Sequence, residues 1–142
     1  MDDKILYAAL ATAKGGRDGH VRSSDGVLDV DMAIPKEMGG SGGARTNPEQ
    51  LFAAGYAACF EGAVRLAARQ ENVAVGADTF VTAIVGIGPR QAGGFQLTIA
   101  LEVHVDGVST DLAQNLAKIA HEQICPYSHA TRGNIAVQVR IV

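Results

Sequence analysis

The sequence predicts an α+β domain with the element order β-β-β-α-β-β-α-β, and three observations point there. Residues alternate between apolar and polar in several separate runs, as half-buried strands do. Residues 51–68 form one helix-length stretch that is apolar on nearly every side. A second helical pattern lies shortly before the last alternating run.

Residues 5–13 and 20–24 read as a hairpin around Gly15-Gly16-Arg17-Asp18-Gly19, because glycines and Asp-Gly supply the positive φ of tight turns. Ser24-Asp25-Gly26 makes a second turn. The strand after it places Leu28, Val30, Met32 and Ile34 inward and Asp29 and Asp31 outward. Gly39-Gly40-Ser41-Gly42-Gly43 then reads as a mobile loop by composition. Asn47 suits a helix cap, Pro48 the first helical position and Gln50 the bond back to the cap, so a helix is predicted from there to about Arg69. Strands follow near 79–88 and 95–105, the second with Phe95, Leu97, Ile99, Leu101, Val103 and Val105 on one face. The second helix starts around Ser109 or Thr110, with Leu112, Leu116, Ile119 and Gln123 at helical spacing. It must end close to Cys125, because the residue before a proline is pushed out of the α region. Residues 135–142 form the last strand.

At 142 residues the chain is expected to be a single domain, residues 1–142. A net charge of −3 without any cluster of Lys and Arg argues against a nucleic-acid footprint or a polybasic membrane anchor. The stretch Met1-Asp2-Asp3-Lys4-Ile5 shows no basic leader, and Glu61 and Arg65 interrupt the apolar helix, so a cytoplasmic protein without a membrane span is expected. In a reducing cytosol its two cysteines, Cys59 and Cys125, are either buried small residues or a working redox pair.

One face of a sheet cannot cover a helix that is apolar all round. Gly55, Ala58 and Gly62 leave room for a close approach, so the cover is read as the same helix of a second subunit in an obligate homodimer. The alternative cover is the chain's own second helix.

Cys59 alone is ordinary core filler, since cysteine is among the most buried residue types. It lies about three turns past the helix start, beyond the reach of the helix dipole, so activating its thiol needs a cation. Arg17, on its glycine-flanked turn, is a candidate. It is equally an ordinary solvated turn residue, and Glu49 is equally an acid favoured by the helix N-terminus.

The segments Gly15–Gly19, Gly39–Gly43, Thr46-Asn47-Pro48-Glu49-Gln50-Leu51-Phe52-Ala53-Ala54-Gly55-Tyr56-Ala57-Ala58-Cys59-Phe60 and Cys125-Pro126-Tyr127-Ser128 together resemble the organic hydroperoxide resistance proteins, the Ohr branch of the Ohr/OsmC family. The resemblance spans essentially the whole chain. It implies an OsmC-like fold, with antiparallel or mixed sheets wrapped around central helices in an intertwined homodimer. It also implies a thiol peroxidase that reduces organic, especially fatty-acid, hydroperoxides to alcohols. Cys59 would be the peroxidatic thiolate, Cys125 the resolving thiol that forms an intrachain disulfide, and Arg17 with Glu49 the activating pair. No metal or organic cofactor is implied, and the expected reductant is a lipoylated protein or another dithiol.

Residue chemistry agrees with those roles. A fixed guanidinium lowers a nearby thiol pKa, and a carboxylate orients it through paired charge-assisted hydrogen bonds. Glu49 and Cys59 are ten residues apart in one helix, roughly 15 Å along its axis, so a shared pocket must combine them from two subunits. An alkyl peroxide calls for apolar walls, for which Ile34, Pro35, Met38, Phe52, Phe60 and Tyr127 are candidates. Two other readings compete. His121, Cys125 and His129 recur every four residues and suggest a metal-binding module, although Pro126 breaks the helix that would align them. A lipid or small-molecule carrier would use the same apolar pocket but needs neither the cysteines nor Arg17 and Glu49.

Overall fold

The computed structural model describes residues 3–142; Met1 and Asp2, part of the stretch read for a leader, lie outside the described residues. Two compact units divide at the start of the long helix, one ending at Pro48 and the other comprising Glu49–Val142.

The first unit is a three-stranded antiparallel sheet of β1 (Ala11–Lys14), β2 (His20–Ser23) and β3 (Asp29–Asp31), in that order. All three strands are shorter than the alternation predicts, and residues 5–10 are not part of a strand. Ile5, Leu6 and Tyr7 are 75%, 88% and 80% exposed, so within one chain nothing rewards their pairing. Met32 is buried as expected, but its neighbour Ala33 is buried too and Leu28 is exposed, so the alternation fails at both ends of β3. The outward Asp29 and Asp31 both bond the His20 ring on the adjacent strand, Asp31 at 2.7 Å. Those bonds hold the His20 pKa above its ordinary value.

The β1–β2 turn is a single 3₁₀ turn, Gly16–Asp18. Gly15 and Gly16 take φ of 84° and 60°, the left-handed region that favours glycine. Gly19 is needed for space instead, since a β-carbon there would lie 1.8 Å from the Lys14 carbonyl oxygen. The glycine-rich segment expected to be mobile is a folded turn: Gly39, Gly40 and Gly42 each donate a backbone N–H to the carbonyls of Lys36, Pro35 and Ile34.

In the second unit, α1 (Pro48–Gln70) starts at the predicted proline. It packs on a mixed three-stranded sheet of β4 (Phe80–Pro89), β5 (Phe95–His104) and β6 (Gln138–Ile141), with β4–β5 antiparallel and β5–β6 parallel. The β5 face reads as predicted over Ile99, Leu101 and Val103, all buried, while Phe95 at the strand's start is 68% exposed. By length and composition α1 could cross a bilayer. Its Tyr56, Phe60, Val64 and Ala67 are nevertheless completely buried in a common core with Leu101, Val103 and Leu116, as in a core helix.

The next helix, α2 (Thr110–Ile119), starts at Ser109, whose hydroxyl accepts the Leu112 N–H at 3.2 Å. A π-helical turn, Ala120–Ile124, continues it and ends at Cys125, which is extended at φ −67° and ψ 117°. The predicted stop is therefore met. A short helix that the pattern does not predict follows, α3 (Pro126–Thr131), with the proline at its first position, where a missing N–H costs nothing.

Candidate active site

The second unit brings the two cysteines together across a gap of 66 residues. Cys59 lies in α1 and Cys125 at the corner between the π turn and α3, with their sulfurs 3.8 Å apart and both thiols free. That is contact distance for two thiols, and a disulfide needs the sulfurs to close to about 2.05 Å. Cys125 is buried and Cys59 only partly so, so Cys59 is the thiol that an outside reagent can meet. The corner is held by two backbone bonds, the Cys125 N–H to Ala120 at 2.8 Å and the His129 N–H to Cys125 at 3.0 Å.

Burial and the neighbouring sulfur push the Cys59 thiol above its ordinary pKa, while the Tyr127 backbone N–H pulls it down. The upward causes outweigh the downward one.

Aromatic rings border the cysteines. Phe52 meets Tyr127 edge-on at 5.9 Å, and Tyr56 lies 5.5 Å from Tyr127 and 6.3 Å from Phe60. Gly55 permits this closeness, because a β-carbon there would fall 2.5 Å from the Tyr127 hydroxyl oxygen. The room expected at Gly55 for a second subunit is thus occupied by the chain's own tyrosine. The space beside Gly62 is open. Of the candidate walls, Phe52 and Tyr127 keep exposed surface, whereas Phe60 has none and serves the core.

Ile34, Pro35, Met38 and Arg17 belong to the first unit. There the Asp18 carboxylate accepts the Ile34 N–H at 3.1 Å, tying the turn that carries Arg17 to the segment that carries Ile34 and Pro35. Arg17 is half-buried, as is Glu49 in the first turn of α1.

The sequence reading missed one buried network. Tyr56 and Ser128, both without exposed surface, bring their hydroxyl oxygens to 2.8 Å, and His121 Nδ1 lies 2.8 Å from the same Ser128 oxygen. His121, weighed only as a metal ligand, is committed to Ser128. Among the described residues no three His, Cys, Asp or Glu side chains are grouped to hold a metal.

Two thiols in contact beside an aromatic border, on a helix-backed mixed sheet, define a two-cysteine α+β protein. The OsmC-like protein family model matches residues 40–140, and the chain belongs to that family, in its organic hydroperoxide resistance branch. It is 48% identical over 139 residues to an organic hydroperoxide resistance protein of Xanthomonas axonopodis pv. citri, covering 98% of this chain and 96% of that one. It is 45% identical over 139 residues to the organic hydroperoxide resistance protein OhrB of Bacillus subtilis, covering 96% and 98%. The crystal structure of an organic hydroperoxide resistance protein from Elizabethkingia anophelis superposes with a TM-score of 0.92 at 48% identity, covering 98% of each chain.

Proposed function

We propose that this protein is a thiol-dependent peroxidase that reduces organic hydroperoxides, fatty-acid hydroperoxides among them, to alcohols. The observation that carries the reading is the 3.8 Å contact between Cys59 and Cys125, with only Cys59 open to solvent. The Cys59 thiolate attacks one peroxide oxygen, an S–O bond forms, the O–O bond breaks, and the alkoxide leaves as alcohol after taking a proton. Cys59 becomes a sulfenic acid. Cys125 attacks that sulfur, the disulfide forms and water departs, which forestalls irreversible oxidation. A dithiol, such as that of a lipoylated protein, then returns two electrons and two protons by thiol exchange.

In this reading Arg17 supplies a charge that favours the Cys59 thiolate, and Glu49 orients it. About 15 Å of α1 separates Glu49 from Cys59, so the proposed site combines residues of two subunits in a cytoplasmic homodimer. The aromatic border favours an alkyl group over water, which is the basis for preferring organic hydroperoxides to hydrogen peroxide.

Turnover of cumene hydroperoxide against hydrogen peroxide, with a dithiol reductant, tests the proposal. A strong organic preference is expected, and absence of turnover would favour the carrier reading. Cys59→Ser should abolish turnover, because a serine hydroxyl is no comparable nucleophile near pH 7. Cys125→Ser should still undergo the first oxidation, and mass spectrometry should then find Cys59 advancing to sulfinic acid.

A further inference from the structure

We propose that His121 is a positioning residue: acting through Ser128, it holds the Cys125 corner against α1 and so sets how readily Cys59 and Cys125 join. The inference rests on reading those two cysteines as a redox pair. Tyr56 precedes Cys59 by three residues in α1, and Ser128 follows Cys125 by three, so the hydroxyl contact and the sulfur contact tie the same two segments about one helical turn apart. Whatever loosens the first changes the second. His121 grips α3 at two places, since Nδ1 meets Ser128 and its carbonyl accepts from the Arg132 guanidinium at 2.6 Å, at the helix's C-terminal end.

A proton count gives the network a direction. With His121 neutral, Tyr56 donates to Ser128 and Ser128 donates to Nδ1, so both buried hydroxyl protons have acceptors. With His121 protonated, Nδ1 must donate to Ser128. Ser128 then has one proton to place and Tyr56 another, and only one of them finds an acceptor within the trio. An orphaned donor with no exposed surface is costly. Protonation therefore works against the clamp.

The surroundings favour the neutral ring. Burial and the Arg132 charge hold the His121 pKa below its ordinary value, against a smaller opposing effect of Glu122. His121 also lines a cavity of about 400 Å³ with Gln114, Lys118 and Glu122, to which β6 adds only apolar side chains. Because the folded pKa is the lower one, the clamp is whole above the unfolded histidine value of about 6.5 and is lost as pH falls through the folded value.

The test is the equilibrium between the Cys59 and Cys125 thiols and their disulfide in mixtures of oxidised and reduced dithiothreitol. The two protein thiols give two electrons and two protons to the cyclic disulfide, which opens as the Cys59–Cys125 bond forms. No hydroperoxide is involved. His121→Asn places an acceptor oxygen near the Nδ1 position and cannot take up a proton, whereas His121→Phe keeps a ring and loses the acceptor. At pH 7.5 the Phe variant should lower the equilibrium constant for disulfide formation about tenfold, as expected for an unmet buried hydrogen bond. The Asn variant should recover most of that loss, and the wild-type constant should fall relative to the Asn variant's between pH 7.5 and 5.5. Equality of the Phe variant with wild type, or a wild-type to Asn ratio that is flat with pH, would overturn the proposal. If the Phe variant does not fold, Ser128→Ala replaces it: a similar loss supports the clamp and wild-type behaviour overturns it. Failure of the wild type to turn over cumene hydroperoxide, with the dithiothreitol results as expected, would sink the peroxidase reading and leave the positioning role standing.

Discussion

At Cys59 the side chain's own unit works against ionisation, because burial and the Cys125 sulfur raise its pKa and only one backbone N–H opposes them. Arg17 is the proposed counterweight. Thiol alkylation measured across pH should show the Cys59 midpoint moving up in Arg17→Ala, with Arg17→Lys in between because lysine cannot make the two-pronged contact to a carboxylate. The sign follows from the charge: removing a cation disfavours the thiolate, so reactivity at neutral pH falls and returns only as pH rises. An unchanged midpoint would place the activating charge elsewhere. Gly55 poses a steric question instead. A β-carbon 2.5 Å from the Tyr127 hydroxyl oxygen must displace that ring, so Gly55→Ala should cost about 1–3 kcal/mol in urea unfolding and slow disulfide formation. Wild-type stability and rate together would show that Tyr127 swings aside freely.

At the scale of elements, the corner between α2 and α3 determines where the second sulfur lies. Pro126 holds Cys125 out of the α region, and the π turn before it adds a residue to the last helical bond, so the Cys125 N–H reaches back to Ala120 rather than to His121. The carbonyl of His121 is thereby left for Arg132. The other end of α2 is closed by Ser109, and Ser109→Ala should cost about 1 kcal/mol, read as a lower urea midpoint at constant slope. Because this cap is remote in sequence from the cysteine corner, hydroperoxide turnover at low temperature should be little changed.

For the whole molecule, what one chain leaves uncovered bears on the proposed dimer. Ala54, Ala58, Gly62 and Leu66 form an exposed line at four-residue spacing along α1, and Ile5, Leu6 and Tyr7 are also exposed. If the working site combines Glu49 of one subunit with Cys59 of another, mixing inactive Cys59→Ser chains with inactive Glu49→Ala chains should regenerate activity, because a heterodimer then contains one site with both groups intact. A mixture no more active than its parents, with heterodimers shown to have formed, would rule out the shared site.

Local rules were enough to read the punctuation of this fold from sequence. Pro48 starts α1, Ser109 caps α2, Pro126 stops the helix before it, and Ile99 to Val103 face the core, because each depends on neighbours within a few residues. The family motifs likewise marked Cys59 and Cys125 as a pair. The strands of the first sheet proved shorter and α3 went unforeseen, since an alternating run becomes a strand only where a partner strand meets it, and a six-residue helix carries little periodicity. Only the tertiary structure could join Tyr56 to Ser128 across 72 positions, assign His121 to that hydroxyl instead of a metal, or reveal that Gly55 makes room for Tyr127. Hydrogen-bond partners and close approaches between distant segments depend on how α1 and the Cys125 corner pack, and no pattern within either segment encodes that distance.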